Sequence, residues 1–143
     1  MSLWFRNKSF EANPQVIKGL PNLLDQLAKK KIIMGISTND QEETAHYQLK
    51  QSNLHSYFSY IFGSDSGFGS KPDIGMQKEF IKLTKIKPQN ILMVGDSEFD
   101  MISGKNSGMI SVGVLTGPAS EEELSRTSDF VLNSVCDIPQ ILN

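Results

Sequence analysis

Cysteine is almost absent from this sequence: Cys136 stands alone. An internal disulfide and a thiolate zinc site are therefore both excluded, which fits a reducing compartment and sets the cytoplasm as the expected location. Long apolar runs are missing too. No stretch reaches the ~18 consecutive apolar residues of a membrane span, and Met1 to Phe10 lacks the apolar run of a signal peptide. Nor is there a basic excess, since 14 Lys+Arg stand against 16 Asp+Glu for a net charge of -2. Tracking a nucleic-acid backbone needs the opposite balance, so neither a nucleic acid nor a membrane is an expected partner. Repeats, low-complexity tracts and linkers are also lacking. With 143 residues, 38% hydrophobic and 21% charged, the chain is expected to form a single globular domain over 1–143.

What is present is an alternation of short apolar runs with longer helical patterns. That is the signature of βαβ units, and it predicts an α/β fold, a Rossmann-like three-layer core around a mostly parallel sheet. Ile32 to Ile36, Ile91 to Val94 and Ile110 to Val114 have the near-continuous apolar character of strands buried on both faces. Tyr60 to Phe62 and Phe130 to Leu132 read as shorter strands. Between them, Pro21 suits a helix start, and Leu20, Leu23, Leu24 and Leu27 make one apolar face. Asp40 with Glu43 and Ser120 with Glu123 resemble capping boxes. Asp73 is expected to cap a helix burying Met76, Phe80 and Leu83, and a further helix should run from near Glu98 to a C-terminal cap at Gly108.

In a parallel α/β sheet the ligand site lies at the carboxyl ends of the strands. Three such ends are polar here. Ser37-Thr38-Asn39-Asp40 follows the first strand, a glycine-rich loop from Gly63 to Ser70 leads to Lys71-Pro72, and Gly95-Asp96-Ser97-Glu98-Phe99-Asp100 follows a third. A hydroxyl, an ammonium and two carboxylates suit binding a phosphate oxygen, neutralising its charge and holding a hard cation. Each has a plainer alternative. Thr38 suits the turn at Asp40, Lys71 a solvated loop, and Asp96 or Asp100 a helix cap. One cap needs only one aspartate, however, and the Gly95-Asp96 step with Asp100 one helical turn later supplies two.

Other polar residues carry weaker signals. Gly67-Phe68-Gly69 lacks phosphate-loop spacing, His46 and His55 lack paired ligands at metal spacing, and Cys136 has no activating base and reads as a small buried hydrophobe. Asp65 reads as a turn residue, and Leu3-Trp4-Phe5 as packing.

Taken in order, Ile36-Ser37-Thr38-Asn39, Lys71-Pro72-Asp73 and Gly95-Asp96-Ser97-Glu98-Phe99-Asp100 resemble the second, third and fourth motifs of the haloacid-dehalogenase-like (HAD) superfamily. The phosphoglycolate-phosphatase-like branch is the nearest, and the resemblance runs from about Pro14 to the C-terminus. It implies a Mg²⁺-dependent phosphatase of a small phosphorylated metabolite, working through an aspartyl-phosphate. Thr38 would bind the substrate phosphate, with Ser37 as the alternative hydroxyl, and Asn39 would border the substrate pocket. Lys71 would be the catalytic lysine tying phosphate to nucleophile. Asp96 would bind Mg²⁺ directly or through water, and Asp100 would support the ion or orient Lys71.

One departure from the family pattern is large. Its first motif, an apolar strand ending in Asp-x-Asp, supplies the nucleophile and the general acid-base, and no Asp-x-Asp occurs in the sequence. The expectation is a partial chain, inactive alone, with its first strand missing and residues 1–13 made up of a vector start at Met1-Ser2-Leu3 and a cap remnant from Trp4 to Asn13. A non-catalytic HAD-like binding or regulatory domain and a sugar-phosphate mutase are the alternatives. Loss of the central strand would leave two inner edges. Ile33 to Ser37 and Leu92 to Gly95 are then expected to pair directly, or to share a strand supplied by the N-terminal segment or by a second molecule in self-association.

Overall fold

The computed structural model of the protein describes residues 18–142, together with the backbone of 2–6. Among these residues, six strands form one sheet: β1 (Ser2–Arg6), β2 (Ile33–Ser37), β3 (Tyr60–Phe62), β4 (Ile91–Gly95), β5 (Ile110–Val114) and β6 (Phe130–Leu132). Their order is β3-β2-β1-β4-β5-β6. Every pairing is parallel, so the sheet is parallel throughout these strands. This is the doubly wound order of Rossmann-like folds, with a crossover at the centre.

The centre is where the sequence expectation needed resolving. The slot left by the absent Asp-x-Asp strand is filled by β1, which pairs with β2 on one side, Phe5 opposite Ile36, and with β4 on the other, Phe5 opposite Val94. Of the outcomes expected for the two inner edges, the N-terminal strand is the one found. Both edges are hydrogen-bonded, and the expectation of self-association through them loses its basis. Ser2 and Leu3, read as a vector start, belong to this strand. The cap remnant expected beyond Arg6 and the packing expected of the Leu3-Trp4-Phe5 side chains lie outside the described residues.

Alternation along the strands divides the core into two layers. Met34, Ile36, Leu92, Val94, Val112 and Val114 join one cluster with α1 (Leu20–Lys29) and α2 (Glu42–Gln51), whereas Ile91 and Met93 join Met76 and Phe80 of α3 (Gly75–Thr84) in the other. The leucines Leu20, Leu23, Leu24 and Leu27 are all buried, as their spacing predicted. Each contributes about 1.5–3 kcal/mol relative to an exposed side chain. Packing on the second face is close enough to need glycine: a Cβ at Gly104, in α4 (Glu98–Asn106), would come within 2.6 Å of Ser111 Oγ.

Helix starts show where local rules were overridden. Ser120 caps α5 (Glu121–Ser125) by accepting from the Glu123 amide, as expected. The Asp40–Glu43 box does not form; α2 starts after Gln41, and its Glu42 amide is taken by Asp65 Oδ1 at 2.8 Å, from 23 residues away. Asp73 makes no cap either, because α3 starts after Ile74 without a side-chain cap. Its buried face is Met76, Gln77 and Phe80, with Leu83 exposed. At the end of α4, Gly108 adopts positive φ and its amide bonds back to Lys105, the expected cap.

Candidate active site

The register of the sheet places the polar strand ends at one level. Arg6 of β1 lies opposite Ser37 of β2, and Phe5 lies opposite Val94 of β4. Thr38 and Asp96 therefore leave the sheet one step later, on either side of the β1 terminus. With strands about 4.8 Å apart, the two exits are roughly 10 Å from one another across β1.

Lys71 closes that distance. Its side chain is buried, and Nζ donates to the Ser37 carbonyl at 2.9 Å while lying 2.9 Å from Asp100 Oδ1. One ammonium thus joins the end of β2 to the helix that follows β4. The pairing explains how a lysine from a glycine-rich loop is buried at all, because a buried cation needs an opposite charge and further hydrogen bonds. Thr38 is also buried, and its Oγ1 accepts from the Asp40 amide at 3.0 Å. The turn duty weighed for Thr38 is real, and it occupies the oxygen as an acceptor. Ser37 is fully buried, and its hydroxyl has no hydrogen-bond partner among the described residues; β2 runs through it, so Thr38 is the first residue beyond the strand.

The Asn39 side chain, expected to border the substrate pocket, is engaged with the lysine loop. Its amide pairs with the backbone of Lys71 in both directions, Nδ2 donating to the Lys71 carbonyl at 3.1 Å and Oδ1 accepting from the Lys71 amide at 2.9 Å.

The two aspartates differ in how they are held. Asp100 is fully buried; Oδ1 faces Lys71 Nζ, and Oδ2 accepts from Ser97 Oγ at 2.9 Å. It lies so tightly on β4 that a Cβ at Gly95 would come within 2.4 Å of the Asp100 Cβ. Asp96, also buried, is covered from the loop after β5, where a Cβ at Gly117 would come within 2.3 Å of its Oδ2. Both oxygens of Asp100 are engaged. Among the described residues no group of three or more His, Cys, Asp or Glu could hold a metal. The donor set still fits Mg²⁺, which is content with one or two carboxylates and several waters.

Beyond Asp96 opens a cleft of about 240 Å³ lined by Ser97, Glu98, Phe99, Pro118, Ala119 and Glu123. Sequence reasoning missed Gly117 and Pro118, whose only signal was their position after a strand. Ser97 was also passed over, although a serine three residues before Asp100 is a legible cap.

The remaining candidates lie elsewhere. His46 and His55, which lack paired ligands at metal spacing, are hydrogen-bonded to each other, Nδ1 to Nε2 at 2.8 Å, joining α2 to the turn at His55–Tyr57. Burial, then His46, then Lys50 lower the His55 pKa from its ordinary 6.5. Cys136 is only partly buried, its Sγ 3.6 Å from the Lys18 carbonyl. Among the described residues, no helix is long and apolar enough to cross a membrane.

Comparison with known proteins agrees with this fold. The family model for haloacid dehalogenase-like hydrolases matches residues 4–114. A phosphoglycolate phosphatase of Neisseria meningitidis is 35% identical over 111 residues, covering 75% of this chain and 47% of that protein. The pyrophosphatase PpaX of Bacillus mycoides is 31% identical over 123 residues, covering 84% and 56%. Among solved structures, a predicted phosphatase from Clostridium acetobutylicum superposes with a TM-score of 0.79 at 26% identity, covering 88% of this chain and 59% of that one. A predicted phosphoglycolate phosphatase from Haemophilus somnus gives 0.83 at 22% identity, covering 89% and 57%, a likeness of fold alone. The chain spans about half the length of these curated relatives. It belongs to the haloacid dehalogenase-like hydrolase family.

Proposed function

We propose that this member of the haloacid dehalogenase-like hydrolases supplies the phosphate-positioning and Mg²⁺-binding part of a cytoplasmic phosphatase of small phosphorylated metabolites. The observation that carries the proposal is the buried Lys71 ammonium, held by the Ser37 carbonyl and Asp100 over the carboxyl end of the central strand. A fixed positive charge at a strand terminus, with a threonine on one side and a carboxylate on the other, suits a phosphate dianion. Phosphoryl transfer depends mainly on positioning and charge neutralisation.

In this proposal Thr38 donates its hydroxyl hydrogen to a phosphate oxygen, since its oxygen already accepts from the Asp40 amide. Lys71 neutralises a second oxygen. Asp100 holds Lys71 in place, and Asp96 is the carboxylate that would take Mg²⁺, which when bound would offset the remaining phosphate charge. The nucleophile is the missing part: β1 has the sequence Ser-Leu-Trp-Phe-Arg, without a carboxylate. None of Thr38, Lys71 and Asp96 replaces it.

A Mg²⁺ titration followed by backbone NMR tests the cation site. Weak binding should shift resonances of residues 95–100 and disappear in Asp96→Asn. No shift in that segment, or an unchanged response in the variant, would count against the proposal. A parallel titration with inorganic phosphate should show binding that Lys71→Met weakens to a lower but still measurable affinity.

A further inference from the structure

The loop that brings Lys71 into the site is attached to the turn after β2 by a set of bonds that phosphate chemistry by itself does not require. Asn39 pairs with both backbone groups of Lys71, at 2.9 and 3.1 Å. The Ser64 amide donates to the Asp40 carbonyl at 2.8 Å, the Glu42 amide to Asp65 Oδ1 at 2.8 Å, and Ser66 Oγ to Glu42 Oε1 at 2.8 Å. The approach is tight, for a Cβ at Gly63 would fall 2.3 Å from the Glu42 nitrogen. Segments 38–42 and 63–71 thus form one laced unit, in which the Asn39 side chain bonds the backbone of the lysine itself in both directions.

We propose that Asn39 is a positioning residue that acts through Lys71 and does not touch the substrate. An amide is the one short side chain that matches both bonds, because it donates to the Lys71 carbonyl and accepts from the Lys71 amide at once. Aspartate can accept but cannot donate, and it would face the Lys71 carbonyl with a second oxygen. The consequence lies at Nζ. With the Lys71 backbone fixed, the side chain has one direction in which to reach both the Ser37 carbonyl and Asp100; with the backbone loosened, that pairing becomes one of several. The proposal deepens the phosphate-site reading by naming what sets the lysine, but its first test needs no ligand.

In that test, NMR of the full chain without ligand follows the Lys71 backbone amide and the Lys71 ammonium, with Val112 as a distant control. Asn39→Ala should shift the Lys71 amide and speed exchange of its ammonium protons, leaving Val112 unchanged. Asn39→Asp, nearly isosteric, should do the same, and it decides the matter if the alanine variant does not fold. An unaltered Lys71 ammonium in the folded variant overturns the proposal. The second arm is a double-mutant cycle on inorganic phosphate affinity. Asn39→Ala should weaken binding roughly tenfold, the scale of one or two hydrogen bonds, and should cause no further loss in a Lys71→Met background. Full additivity would mean that Asn39 contacts phosphate directly and would refute a role through Lys71. If the unmutated chain binds no phosphate, the phosphatase reading fails, while the ligand-free arm still decides the role of Asn39.

Discussion

The two halves of the candidate site hold their charged groups by different means. On the β2 side, Lys71 is set by polar lacing: Asn39, Asp65 and Ser66 bond segments that are 23 to 32 residues apart in sequence. On the β4 side, Asp96 and Asp100 are set by close packing onto glycine, Gly117 against the first and Gly95 against the second. The difference follows from what has to be held. A loop carries backbone amides that need partners, and side-chain acceptors supply them. A buried carboxylate must exclude water around it while keeping its few partners, and glycine allows backbone to approach closely enough for that. The Lys71–Asp100 pair is where the two devices meet.

Breaking the junction should have the largest effect. Asp100→Ala leaves the buried Lys71 ammonium without its counter-charge, and the expected cost is about 3–5 kcal/mol, measured by urea unfolding. Next comes the packed side. Gly95→Ala forces a methyl group against Asp100 and should cost about 1–3 kcal/mol. Its partner variant, Gly117→Ala, should alter the Mg²⁺ response of residues 95–100 more than it alters stability, since Gly117 touches Asp96 from a loop.

The laced side should break more gently. Asp65→Ala removes the acceptor of the Glu42 amide and should cost about 1 kcal/mol, whereas Asp40→Ala, the residue that the local sequence pattern favours as the cap, should cost clearly less. Equal losses in urea midpoint would remove the distinction between them.

The smallest effect concerns pH, at a third place in the molecule. The folded protein favours neutral His55, because burial, His46 and Lys50 all disfavour its charged form. The unfolded chain, with an ordinary value of 6.5, therefore takes up a proton first as the pH falls. The stabilising contribution is complete above 6.5 and is lost as the pH drops through the folded-state value. Denaturation midpoints at pH 7.5 and at progressively lower pH should fall less in His55→Gln than in the unmutated chain. An identical pH dependence in the two would show that the histidine pair does not contribute.

Much of this was legible in the sequence because it depends on neighbours. The apolar runs gave five of the six described strands, the leucine spacing gave the buried face of α1, and the carboxyl ends of the strands pointed to Thr38, Lys71, Asp96 and Asp100 as candidates. Periodicity and strand-to-loop order are local properties, and burial then follows from amphipathic patterning. The helix caps at Ser120 and Gly108 were equally local. The tertiary structure decided the rest. Neither Asn39 nor Asp65 carries a local sign of its partner, since the choice between a box from Asp40 and a cap from Asp65 depends on which loop lies nearby after folding. The central strand is the sharpest case. Ser2–Arg6 lacks the family's Asp-x-Asp, so the sequence marks it as an N-terminal remnant; it becomes a strand because β2 and β4 each present a row of backbone amides and carbonyls on its two sides. Unpaired backbone groups in a sheet centre are costly, and only the assembled sheet creates that demand.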